Sequence, residues 1–573
     1  MRPVPESHHK RVILILLAAG VVTGFLVWFD NMESPDQVLS ATVAIKRAQP
    51  GLFSDDPIFG RIGLWQFHSR SFQFLLDVLR TKEEIEDYQP MRLLAGPVSF
   101  VYLLGMYLLM YRQCRSWSIA AFVAILSLRV TFTVGRAFWG IGPLGSIEPQ
   151  GIYIAVIPLL LEIYFRLCRS WKVLLVFALI AMLGDLSLVV AMNLGVLLAV
   201  GHLACRKLTW RMVVQSAVGL VMVGAAGVWL LGVGARALYG GEGFTSWGYG
   251  LNVLWYALCR SHDGFTAKIA AEALNLADHN VLYPVLLESL FNLGWGVAVL
   301  LIPAILSLLR LERFRVHGLR FWTVFAAGAL VLALGAQGLS QLIGYRLNDR
   351  PWIIDFTQAS VLLGLPLYAM VSQALTSLFR LFRTHRLMLR WACAIVMFVW
   401  MVPSDNFRPV RHWAYGASAI FTKEPDQPRR AAQLRDRTKQ QAELKRIARW
   451  AKENIDNDAM FLSDDIKLRF ISRRAILVSP ETIRLTYYLL PGHLEAQTRR
   501  MEQLSRLIHP PTGRADPQAI ARFVEEQKQH KMFSKVSGWY VVLDAAVVPD
   551  QPGIMQQVFH DDWGTYFKVY FIN

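Results

Sequence analysis

Three aspartates and a scatter of arginines are the residues in this 573-residue chain with the best claim to chemistry. Asp36 follows Pro35 in "SPDQVLSATVAIKRA", and Asp55 and Asp56 precede Pro57 in "GLFSDDPIFG". Pro35 biases the chain before it away from helix, so Asp36 falls in a first helical turn, where a carboxylate suits the helix dipole. Read structurally, it is a helix-start acid, and Asp55 and Asp56 belong to a turn in which Gly, Ser, Asp and Pro cluster. Read chemically, these carboxylates are a general base or a metal ligand and its helper at the mouth of a cavity. Among the cations, Arg129 sits within the apolar run 117–135, and Arg136 follows its end. Arg346 and Arg350 stand at i, i+4 in "YRLNDRPWIIDFTQ", with Gln358 beyond them, and His262 follows Arg260 in "CRSHDGF". Guanidinium groups beside apolar spans suit a phosphate or pyrophosphate head group, which arginine grips bidentately. The alternative is that each snorkels at an interface. An arginine inside a span is the hardest to explain that way.

The elements that position these groups are apolar. Hydrophobic residues make up 54% of the chain and charged residues only 18%, and mean hydropathy is +0.35. That composition indicates an integral membrane protein. The net charge of +17 belongs to short loops between apolar runs rather than to a nucleic-acid surface. Five cysteines show no CxxC or metal-ligand spacing, so no disulfide framework is expected. Apolar runs at 12–29, 93–111, 117–135, 151–167, 212–235, 284–309, 321–344, 355–377 and 389–403 each predict a span. The stretch 173–204 is too long for one helix and is broken at Gly184 and Asp185, which predicts a hairpin of two and about eleven crossings in all.

Basic clusters at 10–11, 112–115, 166–172, 205–211, 310–320 and 383–390 then fall on one side, the cytoplasmic side by the positive-inside rule. The N-terminus is expected there as well, as an uncleaved first helix. The opposite side receives 30–91, 136–150, 236–283, 345–354 and everything after 403. Residues 1–403 are therefore expected as a transmembrane domain with its first outer loop at 30–91. Residues 404–573 are expected as a soluble extracytoplasmic α/β domain. In it, helices are predicted at 440–455, 496–508 and 516–530, strands at 459–463, 473–479 and 538–546, and an edge strand at 565–573. Asp185, at the hairpin tip, is expected to pair with an arginine or to line the cavity.

With the pattern laid out, "SPDQ" and "GLFSDDP" in the first outer loop, and "LKRIARWAKENIDNDAMFLSDD" in the tail, resemble the bacterial members of the GT-C class of integral membrane glycosyltransferases. The resemblance implies a helical polytopic GT-C-like fold with a C-terminal α/β domain in a bacterial inner membrane. It implies transfer of a sugar from a polyprenyl-phosphate donor to a glycan, lipid or protein acceptor at the outer leaflet. Carried over residue by residue, Asp36 becomes the first-loop base, and Asp55 or Asp56 orients acceptor or metal. Arg129, Arg346 and Arg350 hold the lipid phosphate, with Arg136, His262 and Gln358 beside them. The first loop lacks a clean D-x-D, which leaves a divalent metal open. Two other readings predict different sequences. A flippase of lipid-linked glycan calls for internal repeats and polar residues through several spans, and no repeat is found. A non-catalytic envelope assembly protein calls for no deep cavity around Asp36.

Overall fold

The computed structural model describes residues 6–28, 35–60, 69–79, 89–132, 138–205, 208–239, 319–336, 356–401, 404–407, 426–480, 494–510, 513–545, 547–549, 554–559 and 566–572, with single positions 339, 410 and 482. The expected span 284–309 and the cations Arg136, His262, Arg346 and Arg350 lie outside these residues.

The chain is mostly helical. Among the described residues, five helices are long and apolar enough to cross a membrane: α1 (Glu6–Trp28), α4 (Gln89–Cys114), α6 (Pro149–Leu167), α9 (Trp210–Tyr239) and α11 (Gly364–Leu381), the last extended by a 3-10 turn over Phe356–Leu363. Shorter apolar helices accompany them: α5 (Trp117–Leu126), α7 (Leu174–Leu183), α8 (Leu188–Ala204), α10 (Leu319–Leu330) and α12 (Arg386–Met401). Outward-facing Leu14, Val21, Val22 and Phe25 on α1 stay exposed, as a lipid-facing surface requires. α4 packs against α1 through small residues: a Cβ on Gly24 would sit 3.1 Å from Gly96 Cα. Such close backbone approach is the usual route to helix association in lipid, where apolar burial supplies no drive. The expected hairpin forms, with α7 ending at Leu183 and α8 starting at Leu188.

The apolar run 117–135 does not form a single span. α5 stops at Leu126, and Thr131–Phe132 (β1) pairs antiparallel with Phe138–Trp139 (β2). Arg129 therefore lies in a turn beyond the helix, not inside it. The reason is non-local. The backbone between helix and strand finds partners far along the sequence: Val130 N donates to Ser404 Oγ at 3.0 Å, and Leu128 O accepts from Asn406 Nδ2 at 2.7 Å.

The two ends of the bundle differ. At one end His8 stacks on Trp117, His9 Nδ1 lies 2.6 Å from Tyr107 Oη, and Arg112 and Arg166 both donate to the buried Glu162. This end gathers the basic residues Lys10, Arg11, Arg112, Arg115, Arg166, Arg169, Lys172 and Arg211. At the other end stand the first-loop helices α2 (Pro35–Ala48) and α3 (Arg70–Leu79) and the C-terminal segment.

That segment folds around a five-stranded mixed sheet. Its strands are β3 (Met460–Leu462), β4 (Ala475–Ile476), β6 (Trp539–Asp544), β8 (Met555–Phe559) and β9 (Phe567–Ile572), in the order β4–β3–β6–β9–β8. Beside it, β5 (Arg514–Ala515) and β7 (Val548–Pro549) form a small parallel pair. β4, β3 and β6 are parallel, whereas β9 runs antiparallel to both β6 and β8. Helix α13 (Asp426–Asn454) covers one face, burying Leu444, Ile447, Ala448 and Ala451 against Phe461, Ile476, Val542 and Val569. The next helix, α14 (Ile466–Ser472), follows β3. Helices α15 (Leu494–Ile508) and α16 (Pro517–Lys528) cover the opposite face, packing Leu504, Ile520 and Phe523 on Met460, Leu462 and Val541. Neighbouring strand residues such as Val541 and Val542 serve opposite faces, as period-2 geometry demands. The 567–572 strand is not an edge as expected. β8, a strand hidden in the sequence by Gln556 and Gln557, pairs outside it.

Candidate functional site

The first loop is built from α2 outward. Pro35 occupies the first helical position, where its missing N–H costs nothing, and Lys46 and Arg47 sit in the last turn, as the dipole favours. Asp36 is the second residue of this helix. From Gln37 to Ile45 every side chain is buried, polar Gln37, Ser40 and Thr42 included. A helix buried all round is unusual for a loop between spans, and its neighbours explain it. α3 lies on one side, with Gln73 Nε2 donating to Ser40 O at 3.3 Å and Arg47 paired to Asp77 at 3.1 Å. α14 of the C-terminal segment packs on another side. α3 is itself fastened to the α7–α8 hairpin tip. Asp185 accepts from Ser71 N at 2.7 Å and from Ser69 Oγ at 3.2 Å. Asp185 thus serves the first turn of α3, rather than an arginine.

After α2 the chain turns through residues 49–60. Asp56 Oδ1 accepts from Ile58 N at 3.0 Å and Phe59 N at 2.9 Å, a turn closed by its own aspartate. Gly60 is required here, since a Cβ would come 2.4 Å from Ser54 O. Asp56 Oδ2 receives Arg469 Nε at 2.8 Å, and both side chains are fully buried. Ile476 N also approaches that oxygen, at 3.4 Å. Arg469, from α14, spends its other nitrogens on Thr482 Oγ1 at 3.3 Å and Ile476 O at 3.1 Å, with Phe59's ring 4.9 Å from the guanidinium. Asp56 is therefore committed to a sealed pin between the first loop and the C-terminal sheet. Asp55, its neighbour, is buried and accepts from Ser54 Oγ at 2.9 Å. Lys46 Nζ bridges the turn by donating to Pro50 O and Leu52 O. Burial lowers its pKa, partly opposed by the nearby charge of Asp56.

A second cluster lies where the 127–150 loop meets the end of α12. Arg129 Nη1 donates to Trp400 O at 3.1 Å, and its guanidinium sits 4.1 Å from the Trp400 ring centre. Its Nε is buried without a partner among the described residues. Asn406 knits the loop together, accepting from Leu144 N at 2.6 Å and donating to Leu128 O and to Gly142 O at 3.0 Å. Gln358 accepts from Gln150 Nε2 at 3.0 Å, and Trp139 Nε1 donates to Ser360 O at 3.0 Å. Next to these bonds is a cavity of about 50 Å³, lined by Val98, Ile141, Leu144, Ile147, Glu148 and Gln150 among others. Its volume is enough for a few waters and too small for a sugar.

Of the expected site residues, Asp55 and Asp56 come together in the first-loop turn, with Asp36 at the start of the preceding helix. Arg129 and Gln358 belong to the second cluster. Arg136, His262, Arg346 and Arg350 lie outside the described residues. Among the described residues no group of three His, Cys, Asp or Glu side chains is placed to hold a metal. Residues absent from the sequence reading but prominent here are Arg469, Asn406 and Glu148. Glu148 had a usable signal, since an acid beside a proline at a helix start is the same pattern that drew attention to Asp36.

The fold and these contacts define a helical membrane protein whose first extramembrane loop is clasped by a C-terminal α/β segment. Compared with protein-family models and with curated proteins, the chain matches none of them.

Proposed function

We propose that the chain is a GT-C-type glycosyltransferase of a bacterial plasma membrane. It has about eleven spans, its N-terminus in the cytoplasm, and its C-terminal domain outside. It moves a sugar from a polyprenyl-phosphate donor to a glycan, lipid or protein acceptor at the outer leaflet. The observation that carries the reading is the setting of α2. The helix that Asp36 opens follows directly on the first span and is wedged between α3 and α14. That is a rigid mount for a base, and a precise catalytic group needs one.

In this reading Asp36 removes the proton from the acceptor hydroxyl as that oxygen attacks the anomeric carbon, and the lipid phosphate departs with the bonding pair. Arg350 and Arg346 neutralise the charge that develops on the leaving phosphate. Arg129, stacked on Trp400, acts from the second cluster. Asp55 is a second acid in the same loop, one helix length beyond Asp36, and Asp56 holds the loop in place.

The test is Asp36→Asn in a transfer assay with a polyprenyl-phosphate sugar. Asparagine keeps the size of aspartate at the second helical position but takes no proton, and a general base supplies about 10²- to 10⁴-fold. The expected outcome is at least a ~100-fold loss of transfer with an unchanged fold. Full activity in Asp36→Asn, Asp55→Asn and Asp56→Asn alike would replace catalysis with binding or transport.

A further inference from the structure

At the basic end of the bundle two turns meet. α6 ends at Leu167, and the chain turns into the 3-10 segment Trp171–Val173 that leads into α7. α9 begins alongside at Trp210. Gln215 Nε2 donates to Ser170 O at 3.1 Å, and the Arg211 guanidinium lies 5.3 Å from the Trp171 ring centre. One turn further in, a Cβ on Gly219 would fall 2.6 Å from the Phe177 ring, so α7 and α9 are locked side by side.

This junction brings together three exposed cations, Arg169, Lys172 and Arg211. Among the described residues none of them has a carboxylate partner. Trp171 and Trp210 flank them, 50% and 79% exposed. Beyond the tryptophans the outer faces of the same helices run on apolar, with Leu175, Leu179 and Met182 exposed on α7 and Val218 and Val221 on α9.

Uncompensated cations, then indole rings, then an apolar strip is the polarity profile of an anionic amphiphile laid along the helices. Arginine grips a phosphodiester in two-point fashion and lysine adds a point charge. Tryptophan settles at headgroup depth. We propose that the junction between the α6–α7 turn and the start of α9 binds an anionic phospholipid from the leaflet at the basic end, headgroup on Arg169, Lys172 and Arg211, acyl chains along α7 and α9. A zwitterionic lipid brings its own cation to the same place and is disfavoured. Inorganic phosphate lacks the chains.

The experiment uses the purified full-length protein in mild detergent, with phosphatidylglycerol, phosphatidylcholine or inorganic phosphate added, read by native mass spectrometry and thermal melting. Phosphatidylglycerol is expected to be retained and to raise the melting midpoint, and the other two are not. At about fivefold per cation, Arg169→Gln/Lys172→Gln/Arg211→Gln together weaken phosphatidylglycerol binding about 100-fold. The charge-matched set Lys528→Gln/Lys531→Gln/Lys535→Gln, on and just after α16, leaves it unchanged. Equal retention of both lipids, equal stabilisation by inorganic phosphate, or equal weakening by the two triple variants overturns the proposal. The comparison of the three additives on wild-type protein decides the matter even where a variant fails to fold.

Discussion

Breaking the Asp56–Arg469 pin tests whether the first loop and the C-terminal segment form one unit. Neither side chain has any exposed surface, so each substitution leaves a partner that water cannot reach. Breaking a buried pair from one side costs about 3–5 kcal/mol. The contacts place the two single variants at opposite ends of that range. In Arg469→Met the Asp56 carboxylate keeps the backbone donors Ile58, Phe59 and Ile476, so the expected cost is about 3 kcal/mol. In Asp56→Asn the guanidinium keeps only Thr482 Oγ1, Ile476 O and the ring of Phe59, none of them charged, so the expected cost is about 5 kcal/mol. The double variant carries no stranded charge and should recover about 2 kcal/mol relative to the sum of the singles.

Hydrogen exchange reads this locally. Amides in 53–60 and 466–478 should lose protection by about tenfold per 1.4 kcal/mol, while amides in α4 and α6 are unaffected. Wild-type exchange in both single variants, or strict additivity in the double, refutes the pin. The same variants divide position from chemistry. Loss of transfer in Asp56→Asn that returns in the double variant is positional. Loss that persists in a docked double variant makes the Asp56 carboxylate a participant.

Asn406→Ala should cost about 3 kcal/mol, roughly one for each of the Leu144, Leu128 and Gly142 backbone groups left unpaired in a buried loop. Thermal melting in detergent should show it, and an unchanged midpoint would mean water replaces the amide. Lys46 gives a pH signature. Its folded pKa lies below the unfolded value of about 10.4, so the penalty for burying its charge is fully present at neutral pH and is relieved as pH rises through the folded value. The melting midpoint of wild type minus that of Lys46→Met should therefore climb on the alkaline side, and a flat difference up to pH 10 contradicts the assignment.

Local pattern foretold local structure well. Apolar runs marked the helices, Gly184 and Asp185 marked the hairpin, and the buried-type apolar run in 538–546 marked the central strand of the sheet. The failures have a common physical cause. α5 stops at Leu126 because Ser404 and Asn406, distant in sequence, claim the backbone that would have continued it. A composition window over 117–135 sees only apolar residues. The strand 555–559 was missed because Gln556 and Gln557 interrupt its apolar alternation. At the candidate site, Asp36 as a helix start and the 55–57 turn were both legible. The partner of Asp56 was not, since no local signal links "SDDP" to the arginine in "KLRF".

The residues of that pin are 413 positions apart in sequence. A ribosome adding ~5–20 residues per second takes on the order of 20–80 s to travel from one to the other. By the end of that interval every span up to α12 has been made, yet the first loop still lacks Arg469 to pair with Asp56 and α14 to cover α2. The nascent chain must hold its opening loop unfinished until almost its last hundred residues appear. A message truncated before residue 469 then yields a protein with its apolar helices present and its first loop permanently open, a defined target for proteases that recognise unfolded segments.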